Sequence, residues 1–99
     1  MIVFVAHKYV GKEENYIRAR QTTKYLQSVD AKNTYICPLM AFSHMGDPDR
    51  EDVAEMRLDL LSVCDAICVA SDIDGDTMRK EVDLAALIGM EVVPYDKTG

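Results

Sequence analysis

Apolar residues fall in this chain in two alternating patterns. The first is the short continuous run. "IVFVA" (2–6), "NTYIC" (33–37), "DAICVA" (65–70) and "EVVPY" (91–95) are rich in β-branched or aromatic residues and bounded by polar turns. Runs of that length and composition suit strands, and the first suits a strand buried on both faces. The second is a helical spacing. It predicts a helix over 14–29 with Ile17, Leu26 and Val29 inward and Asn15 or a neighbour as cap. It predicts a second over 50–64, acidic in its first turn, with Val53, Met56, Leu60 and Cys64 or Val63 inward. A third covers 77–88 with Met78, Val82, Ala85 and Gly89 on its stripe. Gly89 ends it. Pro38 stops the second strand, "PLMAFSHMGDPDRED" (38–52) is a long loop that runs into the second helix, and "DKTG" (96–99) is a tail.

The order β-α-β-α-β-α-β implies a parallel sheet with right-handed crossovers and helices on both faces. The expectation is a single domain over 1–99 with an α/β, flavodoxin-like (Rossmann-like) three-layer sandwich and about four strands in the order 2-1-3-4. Ligands in such sheets bind at the carboxyl ends of the strands, where the winding direction switches. Here that crevice lies between the first and third strands, lined by "AHKYVGK" and "ASDIDGDT". Asp65 falls at the opposite end of the third strand, as a turn or capping residue.

Composition narrows the ligand. The net charge is −6 and hydrophobic residues make up 48%, with a pI near 4.7. An acidic chain is a poor partner for a nucleic-acid backbone or an anionic membrane. A small nucleoside or nucleotide stays within reach, because its recognition is local. Cys37, Cys64 and Cys68 form no CxxC pair, which points to buried, reduced thiols and a cytoplasmic setting. The "MIVFVAHK" start has no basic region and reads as a strand. No apolar run reaches the ~20 residues of a membrane span.

The candidate chemistry sits in "SDIDGDTMRKEVDLA" (71–85), where Asp72, Asp74, Asp76 and Glu81 cluster at a strand end and helix start. Glu81 lies three residues after Met78 and four before Ala85, on the apolar stripe. A carboxylate there is either desolvated, aimed along the helix start into the crevice, or at the stripe's edge as a partner for the helix dipole. Across the crevice, Tyr9 could orient a carboxylate, and His7 and Lys8 offer donors. Neither a metal nor another cofactor is expected. His7 and His44 lack ligand spacing. Counted from Asp72, Gly75 is fourth and Glu81 tenth, so the acids do not match a calcium loop. The turn after the first strand lacks the Gly-rich phosphate cradle of dinucleotide-binding folds.

Several segments in order resemble one family. They are "VAHKY", "ENYIRAR", "ICPLMAFSH", "MRLDLLSVCDAICV" and "TMRKEVDLAALIGMEVV". Together they are similar to the nucleoside 2-deoxyribosyltransferase superfamily, and most of all to its small bacterial and phage members. The resemblance implies that Glu81 attacks the anomeric carbon of a 2-deoxyribosyl group. The base then leaves, and the sugar passes to another base or to water, the two-step logic of a retaining glycosidase. It implies that Tyr9 holds the nucleophile and that Asp74 or Asp76 holds or protonates the base. Asp59 is a weaker candidate, since alignment on "CDA" puts Arg57 where some relatives carry an acid. The loop before the nucleophile reads Gly75-Asp76-Thr77, with Gly75 where nucleotide-hydrolysing relatives carry a phosphate-binding Ser. His7 and Lys8 replace a common Gly-Pro. In the transferases a C-terminal extension completes a neighbouring subunit's site, and no such extension is expected within 1–99. The resulting expectation is N-glycosidic cleavage or 2-deoxyribosyl transfer on deoxynucleosides or their 5′-monophosphates. The alternative is a non-catalytic nucleoside- or nucleotide-binding module of the same fold. A homodimer or higher homo-oligomer is expected in either case.

Overall fold

The computed structural model describes residues 1–95; the expected tail at 96–99 lies outside them. Four strands, β1 (Ile2–Ala6), β2 (Thr34–Ile36), β3 (Ala66–Val69) and β4 (Glu91–Val92), form one all-parallel sheet in the order β2-β1-β3-β4. This is the expected flavodoxin-like arrangement. The central strand is the most buried: Val3, Phe4, Val5 and Ala6 have no exposed surface. A continuous apolar run is what a strand covered on both faces requires.

Helix α1 (Glu13–Val29) packs on one face, where Ala19 and Leu26 meet Val3, Val5, Ala66 and Cys68. Helices α3 (Glu51–Ser62) and α4 (Asp76–Leu87) cover the other, where Leu61, Met78 and Ala85 meet Phe4, Ala6 and Ile67. That division is the one right-handed crossovers produce. No helix among the described residues is long and apolar enough to cross a membrane.

Several local expectations are corrected. The stretch after β2 is not all loop: Pro38 opens a short helix α2 (Pro38–Ala41), and a 3-10 turn follows at Ser43–Met45. Proline at the first helical position has no amide to leave unsatisfied. The last strand is shorter than 91–95, although the Val93 amide still donates to Ile67 O at 2.8 Å. In α1, Ile17 and Val29 are exposed, and the inward residues are Asn15, Ala19 and Leu26. Asn15 is no cap. It lies inside the helix, where Nδ2 donates to Tyr9 O at 2.8 Å and fastens the β1–α1 loop. In α3, Val63 is exposed, Met56 and Leu60 are half-buried, and the stripe runs Val53, Arg57, Leu61. In α4 the buried residues are Met78, Glu81 and Ala85, while Val82 is half-buried and Gly89 exposed.

Two side chains fix the sheet's ends. Asp65 Oδ2 accepts the Ile2 amide at 2.7 Å, the capping role expected of it. Gln27 bridges α1 to the free edge of β2, accepting the Tyr35 amide at 2.9 Å and donating to Asn33 O at 2.7 Å. Edge strands need such cover for their open backbone groups.

Candidate functional site

α3 and α4 each carry one charge on an otherwise apolar stripe, and the two charges meet. Arg57 Nε donates to Glu81 Oε2 at 2.8 Å and Nη2 to Glu81 Oε1 at 2.9 Å, a two-pronged fork. Glu81 has no exposed surface and Arg57 keeps 1%. Of the positions open to Glu81 from its spacing, the desolvated one is realised. Nη1 of Arg57 donates to Pro48 O at 3.0 Å and lies 3.5 Å from Asp49 Oδ1, so the segment before α3 closes over the pair. Burial pushes the Glu81 carboxyl up from its usual range, and the Arg57 charge pulls against that shift. Asp49 is also raised by burial, with Arg57 again opposing. Two opposite charges fully removed from water hold together only when their hydrogen-bonding groups are satisfied, as they are here.

The other sequence-derived residues are scattered over separate places. Tyr9 is half-buried and lines a cavity of about 290 Å³ with Glu13, Tyr16, Leu39, Ser43 and Pro48. Both oxygens of Glu81 are taken by Arg57, and Tyr9 is not among their partners. Asp74 and Asp76 are exposed, and Asp76 opens α4. Asp76, Thr77 and Asp49 border a cavity of about 230 Å³ that Lys80 also lines. Gly75 caps α4 with φ of 83°, and a Cβ there would lie 2.9 Å from Val10 Cγ1. Only glycine adopts that backbone without strain and clears Val10. Asp59 faces solvent on α3, where its carbonyl accepts the Ser62 hydroxyl. His44 is exposed on the 3-10 turn.

His7 and Lys8 line a second cavity, of about 300 Å³, at the carboxyl ends of β1 and β3. Lys8 Nζ pairs with Asp72 Oδ1 at 2.8 Å, and this pairing holds the Asp72 carboxyl below its usual range. The Lys8 amide donates to Ser71 Oγ at 3.0 Å, so the two loops are stitched together. Among the described residues no group of three or more His, Cys, Asp or Glu side chains is placed to hold a metal ion.

The sequence placed Arg57 only where some relatives carry an acid, and its pairing with Glu81 was not foreseen. Its signal was present, four residues after Val53 and four before Leu61, but a stripe read through Met56 and Leu60 leaves Arg57 at its edge. No family model, curated protein or solved structure matches the chain.

Proposed function

We propose that this chain is a nucleoside- or nucleotide-binding module of the deoxyribosyltransferase-like type, in which Glu81 serves as a structural carboxylate. The observation that carries the reading is the Arg57–Glu81 fork. A nucleophile has to approach the reacting carbon to about 3–3.5 Å. A carboxylate with no exposed surface and both oxygens engaged offers no such approach in this conformation. The neighbouring cavity supports ligand binding. It presents the two phenol side chains of Tyr9 and Tyr16 with Ser43 and Glu13 as polar groups, and its volume of about 290 Å³ is at the small end of ligand sites.

A second reading, N-glycosidic cleavage or deoxyribosyl transfer, is favoured by one specific feature. Glu81 stands within the first turns of α4, and the Pro48–Asp49 segment is held over it through Arg57. Displacement of that segment with Arg57 would free the carboxylate, and Pro48 of the segment also lines the Tyr9 cavity. The setting we propose is cytoplasmic. Self-association is supported by the exposed apolar side chains Val63, Leu87, Ile88 and Val92, and sedimentation at micromolar concentration tests it.

The deciding experiment combines thermal shift with base release on each deoxynucleoside and its 5′-monophosphate, with and without a second free base. The binding module gives a raised melting temperature that Tyr9→Ala abolishes, with no free base formed. Free base or a new nucleoside would establish the enzymatic reading instead, and its loss in Glu81→Gln with the circular dichroism unchanged would assign the step to Glu81.

A further inference from the structure

The crevice at the ends of β1 and β3 shares no lining residue with the Tyr9 cavity, and its chemistry is different. His7 stands at its base with only 4% of its surface exposed. Nδ1 of His7 lies 2.8 Å from Lys8 O. A carbonyl oxygen can only accept, so Nδ1 carries the hydrogen and, in the neutral ring, Nε2 keeps a bare lone pair. Burial, joined by the charges of Lys8 and Arg18, lowers the His7 pKa and keeps the ring neutral near pH 7. No described residue donates to Nε2. Because no buried side-chain nitrogen or oxygen among the described residues lacks a partner, Nε2 is open to the crevice and offers an acceptor that an N–H or O–H group can reach.

The charges around it are unevenly matched. Lys8 is neutralised by Asp72 at 2.8 Å. Arg18, which reaches the same crevice from α1, makes no ion pair or hydrogen bond among the described residues. Gln21 and Thr22 follow it on the same wall with side-chain polar groups that are likewise unengaged there, and the Tyr95 ring closes the β4 side. One fixed acceptor, one guanidinium without a partner among the described residues and two neutral polar groups in about 300 Å³ describe a ligand with a single negative group and hydroxyls.

We propose that this crevice binds a small hydroxylated oxyanion, a phosphate ester or a carboxylate, whose charge pairs with Arg18 and whose hydroxyl donates to His7 Nε2. The site is independent of the Tyr9 cavity, and a failure of nucleosides to bind there would leave it standing. The net charge of −6 sharpens the test, because an acidic chain does not gather anions non-specifically.

The experiment is a titration of the full chain at low salt with ribose 5-phosphate, glucuronate, ribose and inorganic phosphate, followed by calorimetry and by the ¹⁵N signals of the His7 ring. Saturable binding of ribose 5-phosphate or glucuronate, with a shift at His7 Nε2, is the expected result. Whichever of the two binds identifies phosphate or carboxylate as the recognised group. Arg18→Gln should weaken that binding by about tenfold or more, as loss of a charge-assisted bond does. Arg18 is exposed, so this variant keeps the fold and the test stands even if His7→Phe misfolds. Equal binding of ribose or of inorganic phosphate, unchanged affinity in Arg18→Gln, or no saturable binding by either anion would each overturn the proposal.

Discussion

Arg57 and Glu81 decide what can happen at the centre of the α3–α4 face. Removing one partner strands the other charge in a site without water. Arg57→Met is expected to destabilise the fold by about 3–5 kcal/mol, the usual cost of orphaning a buried charge. Arg57→Met combined with Glu81→Met should recover most of that loss, since apolar side chains of similar length can fill the same space. Urea unfolding of the two variants checks both outcomes, and additive losses would show that the fork is not one unit. The position of Glu81 on the packed stripe was legible from its spacing to Met78 and Ala85. Its partner was not, because helical periodicity tolerates a phase error of one residue. In α3 that error exchanges Arg57 for Met56.

At the scale of elements, the loops that carry the sites are held by backbone geometry as much as by side chains. Gly75 starts α4 with φ of 83° and ψ of 151°, under the side chain of Val10, which itself has φ of 46°. Gly75→Ala should cost about 1–3 kcal/mol, the range for side chains forced into such backbone. Combining it with Val10→Ala relieves the contact but not the dihedral strain, so the double variant should remain less stable than Val10→Ala alone in urea melts. The strands and long helices were readable because their apolar patterns run for several residues. The short α2 helix was not. Four residues, Pro38–Ala41, carry too little periodicity to separate a turn of helix from a loop. Ile17 and Val29 misled for the opposite reason. They are apolar but face solvent, which surfaces commonly allow.

Over the whole molecule, the thiols and one phenol report on integrity. Cys37, Cys64 and Cys68 are free and buried. Burial pushes the thiols of Cys37 and Cys68 up to about 11. All three should resist a thiol reagent at neutral pH and react together as urea unfolds the chain. Early reaction of one would mark a locally opening segment. Burial, with the Asp30 hydrogen bond at 2.7 Å, pushes the Tyr35 hydroxyl up to about 12. A folded pKa above the ordinary value means a contribution complete at lower pH and lost as pH rises. Melting temperature should therefore fall from about pH 9, as the thiols are reached, and keep falling through 10 to 12 as Tyr35 ionises. Tyr35→Phe should flatten the upper part of that fall. The fold was legible at this scale because four apolar runs separated by helical spacing allow few topologies. The separation of Tyr9, Glu81 and His7 into different environments was not, because cavities depend on how the β2–α3 connection folds over the sheet.

The sheet's central strand is also the first to be made. β1 ends at Ala6, yet its β3 neighbour is complete only at Val69. At about 5–20 residues per second, a growing chain would carry its most apolar strand for roughly 3–13 s before both flanks exist. "IVFV" is uncharged and free of proline and glycine, the composition of segments that stack with copies of themselves. The order that makes β1 the most protected strand in the finished protein makes it the most vulnerable one during synthesis. A lower expression level, which dilutes chains that carry the unflanked strand, should raise the soluble yield.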